Sequence, residues 1–239
     1  MTKLSVNINK IATLRNARGG ETPSVTEAAI KIQKFGGQGI TIHPRPDERH
    51  ITRKDVYDLK PLVTTEYNIE GNPHRPFIDM VLDVKPEQVT LVPDADDAIT
   101  SNAGWDTKKH FDFLTEVIQE FKNAGIRTSI FLDPKPELIE SAAKTGADRI
   151  ELYTEAYAKD YSLNKEKAIQ PYYETALVAA DFGLGLNAGH DLSLDNLKYF
   201  SDTIPNLLEV SIGHALVSEA LYMGLENTVQ AYLKRLAKW

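Results

Sequence analysis

Residues 183–214 read GLGLNAGHDLSLDNLKYFSDTIPNLLEVSIGH. Two short β-like runs, GLGLNAG (Gly183 to Gly189) and LLEVSIG (Leu207 to Gly213), flank a longer helix-like segment, and each run ends at a small-residue turn carrying Gly-His. Strand, turn, helix and strand in that order form the crossover unit of a parallel sheet. The same alternation runs outward through the chain. Further strand candidates are Leu4 to Asn9, Gly39 to Pro44, Thr64 to Glu70, Gln88 to Pro93, Arg127 to Asp133 and Asp148 to Thr154. Eight strand-and-helix units of about thirty residues match the ~250-residue length of a closed barrel. An open doubly wound sheet is the rival. It is disfavoured because no Gly-x-Gly-x-x-Gly loop follows the first strand and no Pro-, Gly- or Ser-rich linker divides the chain. The expectation is therefore an α/β chain folded as one (β/α)8 barrel domain over residues 1–239.

The helical segments carry their own punctuation. Ser24 with Glu27 forms a capping-box pattern ahead of AAIKIQKF, which Gly36 closes. Asp106 precedes a helix with Phe111, Leu114, Ile118 and Phe121 at helical spacing, ended by Gly125, and PELIESAAKTG stops at Gly146. A last helix is expected to place Leu221, Leu225, Val229, Leu233 and Leu236 on one face. Such stripes serve to pack helices against a sheet.

Composition narrows the function. The chain has 239 residues, 42% apolar and 26% charged, which fits a globular core rather than disorder. With 27 Lys and Arg against 34 Asp and Glu, the net charge of −7 is a poor footprint for nucleic acid or an anionic membrane. The absence of cysteine excludes thiolate nucleophiles, zinc ribbons, iron–sulfur clusters and disulfides. The N-terminal MTKLSVNINK has no apolar signal region and no stretch approaches ~18 apolar residues, so a soluble cytoplasmic protein is expected.

In a barrel of this type the site lies at the C-terminal ends of the strands. That rule selects Asn7, Asn9 and Lys10, with Arg15 and Arg18 behind them, then His43 and Arg45 with Arg49 and His50. Glu70, Thr100, Asp133, Glu151, Asn187 with His190, and Gly213 with His214 complete the set. Four of the six histidines fall at strand ends or in the loops beyond, whereas His74 and His110 sit near helix starts. Grouped imidazoles favour acid/base or ligand chemistry near neutral pH. Glu70 follows an alternating segment that turns Asn68 and Glu70 to the face opposite Tyr67 and Ile69, where desolvation would raise a carboxyl pKa. NAGHDL and SIGHAL fall at the corner where barrel enzymes hold phosphate on backbone N–H groups and a helix N-terminus. The arginines could clamp a second anion, or RPDERH could be a solvated loop held by local ion pairs. Tyr153, Tyr157 and Tyr161 are expected in a loop that covers the site or meets a neighbouring subunit.

VNINKIATLRNARGG, GITIHPRPDERHI, NIE, LVPD with Thr100 following, LNAGHDL and IGHAL resemble the pyridoxine 5′-phosphate synthase family in order and spacing over essentially the whole chain. The resemblance implies a TIM barrel with extra helices, assembled as a homo-octamer. It implies condensation of 1-deoxy-D-xylulose 5-phosphate with 3-amino-2-oxopropyl phosphate to pyridoxine 5′-phosphate, phosphate and water, with no cofactor and no metal. It makes His43 and Glu70 proton acceptors and His190 the proton donor. It assigns Asn7, Arg18, Gly213, His214 and Asp191 to the aminoketone phosphate, and Asn9, Lys10, Arg45, His50 and Thr100 to the deoxyxylulose phosphate. Two departures stand out: Asn9-Lys10 replaces the Asp-His of many members, and Asp191 replaces a common glycine. The Asp191 carboxylate would repel phosphate unless it turned away to cap the next helix, leaving its backbone N–H for the substrate. The closest alternative is another phosphate-sugar barrel, an isomerase or epimerase with a metal between His43, Glu70 and His190. A non-catalytic phosphate-ligand binder is the reading from outside enzymology.

Overall fold

A computed structural model of the chain describes residues 1–94, 101 and 103–237. Eight parallel strands close on themselves in chain order. They are β1 (Lys3–Asn7), β2 (Gly39–Ile42), β3 (Glu66–Gly71), β4 (Gln88–Leu91), β5 (Arg127–Leu132), β6 (Arg149–Tyr153), β7 (Gly185–His190) and β8 (Leu207–Ile212). The helices α1 (Asn9–Asn16) and α2 (Val25–Lys34) follow β1, and α3 (Arg53–Leu59) and α4 (Arg75–Val84) follow β2 and β3. After β4 comes α5 (Phe111–Asn123), after β5 α6 (Ile139–Lys144), after β6 α7 (Glu155–Asp181) and after β7 α8 (Leu197–Thr203). Two helices, α9 (His214–Met223) and α10 (Leu225–Leu236), follow β8. This is the expected (β/α)8 barrel with additional helices.

Strand alternation sorts the side chains into two environments. Leu4, Val6, Ile40, Ile42, Tyr67, Ile69, Val89 and Leu91 face outward into a buried apolar layer shared with Ala29, Ile32, Val56 and Val81 of the helices. The residues between them line the barrel interior and are polar. Ser5 and Thr41 hydroxyls lie 2.7 Å apart, Asn68 Nδ2 donates to Thr41 Oγ1 at 3.3 Å, and Thr90 Oγ1 donates to Asn68 Oδ1 at 3.0 Å. One layer below, Arg127 bridges Glu66 and the Gln88 side chain. The hydrophobic core is thus a ring between sheet and helices, and the lumen is a hydrogen-bonded column whose upper end is the site.

Strand limits differ from expectation where side chains intercept the backbone. β1 stops at Asn7 because Asn7 Oδ1 accepts the Asn9 N–H at 3.0 Å and turns the chain into α1. Thr64 and Thr65 stay outside β3 because Gln33 Oε1 accepts both of their N–H groups, at 2.8 and 3.2 Å. Ser24 caps α2 through the Glu27 N–H at 3.1 Å, but the reciprocal box forms at α3 instead, between Thr52 and Asp55. The expected single last helix is broken at Gly224, where φ is +79°, and Leu221 falls on α9 with 69% of its surface exposed. The expected tyrosine loop is also corrected. Tyr153 ends β6, while Tyr157 and Tyr161 lie on α7; Tyr157 is buried and its hydroxyl donates to the Asn196 carbonyl at 2.8 Å. Among the described residues no helix is long and apolar enough to cross a membrane.

Candidate active site

The strand ends converge on a cavity of about 650 Å³ lined by His43, Glu70, Glu151, His190 and His214, with Asn7, Asn9, Lys10, Arg45, Arg49, His50, Asp191 and Gly213. The polar stagger of the lumen places these groups there: β1 delivers Asn7, β3 delivers Glu70, β6 delivers Glu151, the last residue of β7 is His190, and the turn beyond β2 delivers His43. All four histidines expected at the mouth reach it. His74 instead caps α4 by accepting the Phe77 N–H at 3.2 Å, and His110 packs edge-on against Trp105.

A short polar relay sets the geometry. Asn9 Oδ1 accepts the His43 N–H at 2.9 Å, Asn9 N–H donates to Asn7 Oδ1, and Asn7 Nδ2 donates to Glu70 Oε2 at 3.4 Å. Glu70 Oε1 accepts from Ser211 Oγ at 3.5 Å, and Oε2 stands 4.0 Å from His43 Nδ1. These are long contacts for a carboxyl with only 13% of its side chain exposed. Burial pushes the Glu70 pKa up to about 7, with the neighbouring Asp94 carboxylate adding to the rise and His190 opposing it. Burial holds His43 well below the ordinary histidine range, reinforced by Arg45, His50 and Arg49, so His43 is neutral at pH 7. Burial and Arg45 likewise bring His50 down to about 4, and its Nδ1 accepts the Ile51 N–H at 2.9 Å, which leaves the ring proton on Nε2. A neutral imidazole just past β2 and a carboxyl poised near 7 on the adjacent β3 form an acid/base pair suited to neutral pH.

The charged groups divide into those at the cavity and those committed elsewhere. Lys10 is exposed at the rim and Arg49 lines the wall. Arg45 is buried against Asp94, Nη2 to Oδ2 2.5 Å, and Ser101 Oγ donates to the same carboxylate at 2.8 Å. Arg15 forms a buried two-pronged pair with Asp55, at 2.5 and 2.8 Å, and donates to the His50 carbonyl, so it braces α1 against α3 and takes no part in an anion clamp. Arg18 is exposed in the turn after α1 and is not among the residues lining the cavity. Thr100 lies outside the described residues.

The two Gly-His corners differ. Gly213 caps α9, and its α-carbon is so close to Asn7 that a Cβ would stand 3.0 Å from the Asn7 Cβ; the positive end of a ten-residue helix therefore meets the cavity. At the other corner the Asp191 N–H donates to Thr154 Oγ1 at 3.2 Å, so it is not presented to a ligand as the sequence suggested. Nor does the Asp191 side chain turn away towards α8: its Oδ2 lies 2.5 Å from His190 Nδ1.

Two residues were underweighted by sequence reasoning. Glu151 is buried in the cavity wall, its Oε2 has no hydrogen-bond partner among the described residues, and burial, then Glu70 and Glu209, drives its pKa well above the carboxylate range. The signal was there, since an acid between Ile150 and Leu152 in a barrel strand must face the lumen. Asp94, beside Arg45, carried no such periodic cue because it stands beyond the end of β4.

The family model described as "Pyridoxal phosphate biosynthesis protein PdxJ" matches residues 4–238. The chain is 68% identical over 236 residues to the pyridoxine 5′-phosphate synthase of Flavobacterium johnsoniae, covering 99% of this chain and 100% of that one. It is 63% identical over 238 residues to the pyridoxine 5′-phosphate synthase of Cytophaga hutchinsonii, covering 100% of both. Among solved structures it superposes on a thiamine phosphate pyrophosphorylase from Pyrococcus furiosus with a TM-score of 0.63 at 13% identity, covering 98% of this chain and 95% of that one. The phosphoribosyl anthranilate isomerase of Thermotoga maritima gives a TM-score of 0.60 at 13% identity, covering 99% and 98%. At that identity the two structures establish the barrel fold alone.

Proposed function

Because the chain belongs to the PdxJ family of pyridoxal phosphate biosynthesis proteins and is an enzyme of pyridoxine 5′-phosphate synthesis, we propose that the cavity at the C-terminal end of its barrel joins 1-deoxy-D-xylulose 5-phosphate to 3-amino-2-oxopropyl phosphate. The observation that carries this reading is the convergence of Glu70, His43 and His190 from different strands on one cavity, with Glu70 titrating near 7. Imine formation, loss of phosphate, loss of water and ring closure are successive proton transfers, and groups poised on either side of neutrality perform them without redox chemistry. Neutral His43 and ionised Glu70 take protons from the condensing amine and carbon centres. His190 delivers a proton to a departing oxygen. Glu151, kept protonated by its surroundings, donates a hydrogen bond to a developing oxyanion.

The helix N-terminus at Gly213 and His214 suits the aminoketone phosphate, while Lys10 and Arg49 form a cationic wall for the sugar phosphate, beside which the neutral His50 offers its Nε2–H as a hydrogen-bond donor. Asn9 and Arg45 act on these ligands through what they hold, the His43 main chain and Asp94. Exposed Arg18 reaches a phosphate only if a neighbouring subunit brings the two together, consistent with the homo-octamer that the family resemblance implies. Cytoplasmic residence belongs to the same proposal. The test is incubation with both phosphorylated substrates, followed by chromatography for pyridoxine 5′-phosphate and an assay for released inorganic phosphate. Equimolar appearance of the two is expected, and failure to form either from active-site-saturating mixtures would refute the reading.

A further inference from the structure

We propose that Asp191 is a positioning residue for His190: its carboxylate holds the proton on Nδ1, so that Nε2 is the atom that exchanges protons with the substrate. The inference rests on the acid/base reading of His190 above. The first observation is the contact itself, His190 Nδ1 to Asp191 Oδ2 at 2.5 Å, a carboxylate-to-imidazole hydrogen bond in which the ring nitrogen donates.

The second observation is the backbone. Neighbouring side chains on an extended strand point to opposite faces, so residues i and i+1 cannot ordinarily bond to one another. At the end of β7 His190 has φ of +94°, a conformation that non-glycine residues rarely adopt. The turn it makes brings the two side chains together. Strain of this kind persists only where the surroundings enforce it. Here Thr154 Oγ1 accepts the Asp191 N–H and donates to the Gly189 carbonyl at 2.7 Å, while Asn196 Nδ2 donates to the Asp191 carbonyl at 3.3 Å. The main chain on both sides of the imidazole is therefore pinned.

The third observation is the opposite wall. The Tyr153 ring meets the imidazole edge to face at 5.1 Å, and the Tyr153 hydroxyl is itself anchored to the Ser101 carbonyl and to Glu155, each at 3.0 Å. The ring of His190 is thus fixed by packing on one side and by a carboxylate on another. With Nδ1–H engaged in both protonation states, the proton given to a leaving oxygen comes from Nε2 of the imidazolium, which becomes the neutral Nδ1–H tautomer, and the same atom recovers a proton before the next turnover. Asp191 is thus an acid that orients the imidazole of the proton donor.

The wild-type protein, labelled with 15N-histidine and assigned against His190→Gln, gives the tautomer directly. A neutral His190 protonated at Nδ1 is expected; protonation at Nε2 overturns the proposal whether or not any variant folds. Asp191→Asn, whose amide donates to Nδ1 and so favours the opposite tautomer, is expected to lower kcat at least about tenfold with KM changed less than threefold. Unchanged kcat, or a loss confined to KM, assigns Asp191 to phosphate contact or to scaffold and overturns the inference. No product from the wild-type enzyme overturns the functional reading itself, an outcome separate from the tautomer measurement.

Discussion

Replacing Glu70 by Gln should change stability in a way that depends on pH with a definite sign. The Glu70 carboxyl is largely withdrawn from solvent, its contacts to Asn7 and Ser211 are 3.4 and 3.5 Å, and its pKa moves from the ordinary 4.5 to about 7. Below 4.5 the group is protonated in the folded and unfolded chains alike, and it contributes no pH dependence. Between 4.5 and 7 the unfolded chain has lost the proton while the folded one keeps it, so stability falls as pH rises; above 7 the loss is complete. Over that interval the loss is worth about 3 kcal/mol. Glutamine matches the shape and cannot ionise. The difference in unfolding free energy between variant and wild type should therefore grow by about 3 kcal/mol in favour of the variant from pH 4 to pH 8, on top of any constant offset from altered hydrogen bonding. Urea titrations at several pH values and one fixed protein concentration measure it, with subtraction cancelling the titrating groups that do not interact with Glu70. A difference that is flat with pH, or that grows on acidification, refutes the desolvation argument. The same variant should have lost turnover while retaining its fold, so the group that destabilises the protein at neutral pH is the one the chemistry uses.

Two further perturbations probe the frame. Arg15→Ala strands the buried Asp55 carboxylate and should cost about 3–5 kcal/mol, read as a lowered urea midpoint, while the double change Arg15→Met with Asp55→Leu should recover most of it. Gly189→Ala would set a Cβ 2.3 Å from Glu151 Oε1, so it should displace that carboxyl, cost roughly 1–3 kcal/mol of stability and depress kcat more than it raises KM.

The barrel was legible because its strands and helices repeat eight times, and because glycines such as Gly36, Gly125 and Gly146 mark the helix ends with positive φ. The strand-end rule brought His43, His50, Glu70, His190 and His214 to one cavity without knowledge of any contact. What escaped was pairing. Nothing local in RNARGG says that Arg15 is consumed by Asp55, 40 residues away, or that Arg45 is tied to Asp94 at a separation of 49. Asp191 escaped for a different reason: whether its side chain caps a helix or turns to His190 depends on one backbone angle at His190, which residue type does not predict. Leu221 matched a helical stripe that Gly224 interrupts, so periodicity was right in kind and wrong in extent.

The seam between β1 and β8 ties the two ends of the sequence together, with the Thr2 hydroxyl donating to the Leu207 carbonyl across 205 residues. Chain entropy charges about 5 kcal/mol for a loop of that length, against about 3 for the 27 residues between Thr41 and Asn68 on adjacent strands. β1 is also the strand that carries Asn7, the link to Glu70, and leads into Asn9, the link to His43. Fastening the barrel and wiring its acid/base pair are consequently a single topological event: a molecule whose ends have not met holds Glu70 and His43 on their own strands but lacks the amide bridge that sets one against the other.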